Sequence, residues 1–202
     1  MNHILTKQAS NPNICLSGGA SGADLEWGSC ASAAGHEVIH WSFQGHNTTA
    51  PENTVIRLSD EDLSLAESAL SSATRVLGKS PPRKAGILRL LKRNYFQVAW
   101  ASSCYAVTVI RDAEKGERVG GTAWATTMFS LLHPESRSLY LFDMERDGWV
   151  RWDPAGEEWI EIESPPRPRG VWAGIGSREL SENGKMAIRR LMGCLDMKEE
   201  IM

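Results

Sequence analysis

The sequence has little net charge, no long apolar run and no closely spaced cysteines. Its 22 basic and 25 acidic side chains leave a net charge of −3, which gives no overall attraction for nucleic acids or anionic membranes. No stretch reaches the roughly 18 apolar residues of a membrane span, and the amino terminus lacks the charged and apolar regions of a signal peptide. These absences predict a cytoplasmic protein without a membrane partner and argue against nucleic acid as a partner.

Metal and disulfide chemistry are also disfavoured. The cysteines are widely separated and form no Cys-x-x-Cys pair: Cys15, Cys30, Cys104 and Cys194. We therefore interpret them as free thiols of a reducing compartment. Three histidines lie between residues 36 and 46, but the spacing offers no carboxylate or thiolate ligands to accompany them. No metal site is predicted.

What the sequence does have is a glycine-rich segment at residues 17–24, Ser-Gly-Gly-Ala-Ser-Gly-Ala-Asp. An apolar stretch, residues 14–16, leads into it, and a helix-like stretch, residues 25–34, follows. A strand, a glycine turn and a helix in this order leave backbone N–H groups facing outward, where the helix dipole favours an anion such as phosphate. A tight turn without any ligand is the alternative interpretation.

Two further glycine segments, residues 119–124 and 173–178, also follow apolar runs and precede helical patterns. Alternating strands and helices predict an α/β fold, a Rossmann-like, doubly wound, mainly parallel sheet with helices on both faces. A small β-hairpin is predicted near residues 149–162. Because ligands bind at the carboxyl ends of parallel strands, the three segments are expected to meet at one edge of the sheet.

The chain length fits a single domain over residues 1–202. Within it we expect a main body at 14–146, a hairpin with a proline-rich connector at 147–169, and a last strand and helix at 170–202. A long polar loop, residues 42–53, follows the second strand, and loops of this size are often functional. The sequence assigns it no specific role.

For several individual side chains the sequence allows both a structural and a ligand-binding role. Asp24 fits either a helix cap or an acceptor for a ligand hydroxyl. Arg93 and Gln97 share one helix face at i,i+4 spacing, which suits either a solvated face or a ligand contact. Three aromatic side chains could stack on a nucleobase, although aromatic residues more often belong to a core: Trp41, Phe43 and Trp124.

Taken together, these motifs resemble the SLOG superfamily over roughly residues 14–192. The superfamily includes lonely-guy-type phosphoribohydrolases, molybdenum-cofactor carrier proteins, the DNA-processing protein A family and nucleotide-sensing domains of antiphage systems. The segments that carry the resemblance are residues 17–24, Arg93-Asn94, Gly120-Gly121-Thr122 and residues 174–178. The resemblance implies a Rossmann-like fold that binds nucleotide-derived ligands.

Two departures from the family pattern matter. In most relatives the Gly-Ile-Gly-Ser-Arg strand precedes the Ser-Gly-Gly-Ala unit, whereas here it comes last, as in a circular permutation. This layout resembles sequences of bacteriophages. Lonely-guy enzymes also carry a glutamate after their second glycine motif, and residues 119–127 contain none. Since glycosidic cleavage needs carboxylate assistance, the missing glutamate argues against an enzyme.

The favoured hypothesis is a protein that binds an ADP-ribose-type or cyclic-nucleotide signal, in the most concrete form a phage protein that sequesters an immune signal. The alternatives are a phosphoribohydrolase and a DNA-binding protein similar to DNA-processing protein A. We expect a homo-oligomer with no required cofactor. The predicted ligand contacts are Ser17, Gly18, Gly19, Ala20, Ser21, Gly22, Asp24, Trp41, Phe43, Arg93, Asn94, Gln97, Gly120, Gly121, Thr122, Trp124, Gly176, Ser177 and Arg178.

Overall fold

The computed structural model describes residues 12–80, 82–112, 117–118 and 120–194. Its strands are β1 (Ile14–Ser17), β2 (Glu37–Phe43), β3 (Val55–Leu58), β4 (Ser103–Thr108), β5 (Ile110–Asp112), β6 (Glu117–Arg118), β7 (Leu139–Asp143), β8 (Gly148–Asp153), β9 (Glu158–Ile162) and β10 (Val171–Gly176). Its α-helices are α1 (Ala23–Ala33), α2 (Asp60–Ser64), α3 (Glu67–Val76), α4 (Ala85–Val98), α5 (Gly120–Leu132) and α6 (Glu182–Met192). None of these helices is long and apolar enough to cross a membrane.

Eight strands form one sheet in the order β3-β2-β1-β10-β4-β7-β8-β9. The strands from β3 to β7 in this order run parallel, and β8 and β9 join the β7 edge in antiparallel pairing. The predicted α/β, Rossmann-like fold is therefore confirmed. The predicted hairpin is present as β8 and β9, and it extends the main sheet.

The last strand of the described chain, β10, lies near the centre of the sheet between β1 and β4. Its Trp172 pairs with Cys15 on one side and with Ser103 on the other. The backbone N–H of Gly170 donates to the side-chain oxygen of Asn13, which fixes the entry of β10 beside the start of β1. The carboxyl ends of β1 and β10 consequently lie next to each other.

The central strands β1, β4 and β7 are buried on both faces, because successive side chains point to opposite sides and helices cover each side. Helices α4 and α5 cover one face, where Leu16 and Ala106 belong to the core, and α3 packs on these two helices. Helices α1 and α6 cover the other, where the fully buried Trp27 packs beside Tyr105 and Trp172. Two apolar cores thus fix the sheet and hold the strand ends in place.

Three local expectations change in the structure. The apolar spacing from Leu63 to Leu77 predicts one helix after Ser59, whereas the structure breaks it into α2 and α3 near Ala66. The polar loop after β2 is followed by an unexpected edge strand, β3, which pairs with β2 through Val55 and His40. The second glycine segment follows β6, a strand of a separate two-stranded ribbon, and Gly120 and Gly121 form the first turn of α5.

Candidate functional site

A cavity of about 550 Å³ lies at the carboxyl edge of the parallel strands. Its polar wall comes from the turn after β1, from α4 and from the segment after β10: Ala20, Ser21, Asp24, Arg93, Asn94, Gln97, Ser177 and Arg178. Its apolar wall is formed mainly by Ile87, Leu90, Leu91, Val109, Trp124 and Ile175. All three glycine segments contribute lining residues, so the structure brings them to one place.

The turn after β1 is held against the end of β10. The Ser17 hydroxyl lies 2.9 Å from the carbonyl oxygen of Asp24 and 2.8 Å from that of Gly174. Gly22 has a positive φ of 89°, and a Cβ there would overlap the backbone carbonyl of Arg178. Only glycine fits this contact, since L side chains rarely adopt that φ and have no room. The first and third glycine segments therefore pack as one unit.

A buried ion pair lies beneath this unit. The Arg93 guanidinium donates from Nη1 to the Asp24 carboxylate at 3.1 Å and to Oε1 of Gln97 at 2.6 Å. The side chains of Arg93 and Asp24 are only 4% and 7% exposed. A Cβ at Gly18 would overlap the guanidinium, so the glycine lets Arg93 lie directly on the turn.

Burial dominates the electrostatics of this pair. It raises the pKa of Asp24 despite the neighbouring charge and hydrogen bond of Arg93, and despite the backbone N–H groups of Gly176 and Ala20. Burial also lowers the pKa of Arg93, although a guanidinium stays protonated in proteins. Arg93 is committed to Asp24 and Gln97, so among the described residues that line the cavity the exposed cation is Arg178.

The second glycine segment closes the opposite side. The Asn94 side-chain amide donates to the carbonyl of Gly121 at 3.2 Å, which links α4 to the first turn of α5. Trp124, one turn further, directs its indole N–H to the hydroxyl of Thr74 at 3.1 Å. The Trp124 ring thus contributes an apolar surface to the cavity while its polar atom bonds elsewhere.

Several predicted contact residues lie outside this cavity. Trp41 is 1% exposed and packs against Phe96 and Trp100 in the core beneath α4, because that face of β2 is covered. Phe43 lines a neighbouring cleft. Residues 17–19 are buried and shape the turn, and Gly22 packs against the third segment. The remaining predicted residues line the cavity: Ala20, Ser21, Asp24, Arg93, Asn94, Gln97, Gly120, Gly121, Thr122, Trp124, Gly176, Ser177 and Arg178.

Apart from Trp124, the apolar cavity wall was not predicted. Ile87, Leu90 and Leu91 belong to the apolar stripe of α4, which the periodicity assigns to the core. The structure buries Leu91 and leaves Ile87 43% exposed at the cavity.

Comparisons with known proteins gave no match to a family model, to a curated protein or to a solved structure. The resemblance to the SLOG superfamily therefore stays a prediction. Within the described part of the chain, no group of three or more His, Cys, Asp or Glu side chains is arranged to hold a metal ion.

Near the turn, two histidines are held neutral. His40 is 3% exposed, and burial, followed by the charge of Arg93, lowers its pKa to about 4. Burial and the charges of Arg93 and Arg178 likewise lower the pKa of His46 to about 4. Protonation of His40 would therefore bury a positive charge beside the glycine turn.

The Asp24–Arg93 pair predicts a strongly coupled pair of mutations. Arg93→Met leaves a buried carboxylate without its partner, and we expect it to cost about 3–5 kcal/mol of unfolding free energy. Adding Asp24→Asn should restore much of that loss, because the uncompensated charge is gone. Urea denaturation of the two single variants and the double variant checks this. Additive losses would contradict the buried pair.

His40 predicts a loss of stability in acid. Its pKa is about 4 in the fold against 6.5 for the free side chain, so the unfolded chain binds more protons between these values. Its contribution is complete above pH 6.5 and is lost as the pH falls towards 4, to a limit of about 3 kcal/mol. The variant His40→Asn should show a flatter pH dependence of the denaturation midpoint. An unchanged slope would refute the assignment to His40.

Proposed function

We propose that the cavity binds a phosphate-bearing, nucleotide-derived small molecule of the ADP-ribose or cyclic-nucleotide type. The observation that carries this proposal is the meeting of three segments, distant in sequence, around one cavity of about 550 Å³. Small-molecule sites have volumes of roughly 300–1,000 Å³. In open α/β sheets they lie outside the carboxyl ends of the strands.

The phosphate is assigned to the turn after β1. Helix α1 begins there with Gly22 as its N-cap and no side-chain cap, and among its first backbone N–H groups those of Ala23 and Leu25 donate to the carbonyls of Ser177 and Ala20. Ala20 and Ser21 line the cavity at this point, and the exposed Arg178 lies on the same rim. A helix N-terminus beside a guanidinium favours an anion with several oxygen atoms.

The rest of the ligand faces a wall of mixed chemistry. The apolar side chains of Leu90 and Leu91 and the Trp124 ring suit a nucleobase or the apolar face of a sugar. The side-chain amide nitrogen of Gln97 is buried without a partner in the described residues, and Asp24 offers carboxylate oxygens to a ribose hydroxyl. This combination favours a nucleoside over an inorganic anion.

Binding without cleavage fits these side chains better than hydrolysis. Among the described lining residues the only carboxylates are Asp24, which is paired with Arg93, and Glu179, which is exposed. Glycosidic cleavage uses two placed carboxyl groups, one to protonate and one to activate or stabilise. We therefore propose that the protein holds its ligand intact, as expected for the sequestration of a phage-directed immune signal.

Titration calorimetry with ADP-ribose and cyclic nucleotides tests this proposal. We expect Arg178→Ala to weaken binding about 10- to 100-fold, because it removes a charge-assisted contact worth roughly 1.5–3 kcal/mol. Arg190→Ala removes another exposed arginine, on α6 and outside the described lining of the cavity; it is the matched control and should leave the affinity unchanged.

Mass spectrometry of the titrated sample should recover the ligand intact. Release of a free base would contradict binding without cleavage and would support the phosphoribohydrolase alternative. The absence of binding across the panel, or equal losses for the two arginine variants, would contradict the proposal.

A further inference from the structure

A second cleft, of about 580 Å³, adjoins the cavity. The two share the side chains of Ala20, Ser21, Ile87, Leu90 and Arg178. These shared residues form a ridge, with the first glycine turn and Arg178 on one side and α4 on the other. A ligand bound at the ridge can therefore extend in two directions.

The second cleft is the more basic of the two. Lys84 and Arg178 line it, and none of its described lining residues is a carboxylate. The first cavity, in contrast, is lined by Asp24 and Glu179 as well as by Arg93 and Arg178. Anionic groups are therefore attracted to the ridge and to the second cleft more strongly than to the depth of the first cavity.

The inner wall of the second cleft is aromatic. The rings of Phe43 and His46 are stacked with centroids 5.2 Å apart and an angle of 25° between their planes. Nδ1 of His46 lies 3.0 Å from the Ser42 hydroxyl, while its Nε2 is left without a partner in the described residues. Flat aromatic rings in the wall of the cleft suit the face of a sugar or of a second base.

We propose that one ligand occupies both clefts: a nucleoside whose pyrophosphate lies on the ridge and carries a second sugar into the cleft beside His46. This inference rests on the proposed function and narrows it to a two-ended ligand. Each cleft is large enough for one nucleoside-sized group. A mononucleotide would leave the cleft at Lys84 and His46 empty.

Calorimetry with two probes, ADP-ribose and AMP, tests the two-ended ligand. Lys84→Glu places a negative charge in the second cleft, and we expect it to weaken ADP-ribose binding about 10-fold or more. AMP binding should change less than about 3-fold. The control is Arg83→Glu, which makes the same charge change at the adjacent exposed residue, outside the described lining of both clefts. It should affect neither probe.

The outcomes separate this inference from the proposed function. Equal affinity of the unmodified protein for AMP and ADP-ribose would overturn the two-ended ligand and leave nucleotide binding in place. The two-ended ligand would also be overturned if Lys84→Glu weakened the binding of AMP and ADP-ribose equally. The same holds if Arg83→Glu weakened ADP-ribose binding as much as Lys84→Glu does. Failure of both probes to bind, together with the cyclic nucleotides, would overturn both proposals.

Discussion

The buried ion pair between Asp24 and Arg93 is the contact on which the candidate site depends. Asp24 belongs to the first turn of α1, and Arg93 lies 69 residues away in the middle of α4. Because α4 also carries Leu90, Leu91 and Asn94 to the cavity, the pair sets how closely this helix approaches the glycine turn. Such a pair is costly to bury. Apolar side chains of similar size at these two positions would stabilise a purely structural core equally well.

The alternation of strands and helices was predictable, because hydrophobic periodicity reports local structure directly. The central place of β10 was harder to predict, since pairing depends on which strands meet after the chain returns from the hairpin. Trp41 also shows that the sequence pattern does not reveal which elements pack together. Its position in β2 is evident from the pattern, but its burial beneath Phe96 depends on which face α4 covers.

The candidate site was partly predictable for a related reason. Glycine turns at strand ends must meet at one edge in a parallel sheet, so the meeting of residues 17–24 with residues 173–178 follows from topology. The pairing of Asp24 with Arg93 does not, because the spacing of Arg93 and Gln97 reveals only a shared helix face. The apolar stripe of α4 likewise contributes to both the core and the cavity. Hydrophobic periodicity does not show which of its residues face the core and which face the cavity.

The meeting of the three glycine segments at one ligand is tested most directly by hydrogen exchange followed by mass spectrometry, with and without ADP-ribose. The account predicts that the ligand slows amide exchange together in residues 18–25, 120–126 and 176–182, because it contacts all three at once. Slowed exchange confined to β8 and α6, which lie outside the described lining of the cavity, or to one glycine segment alone, would contradict it.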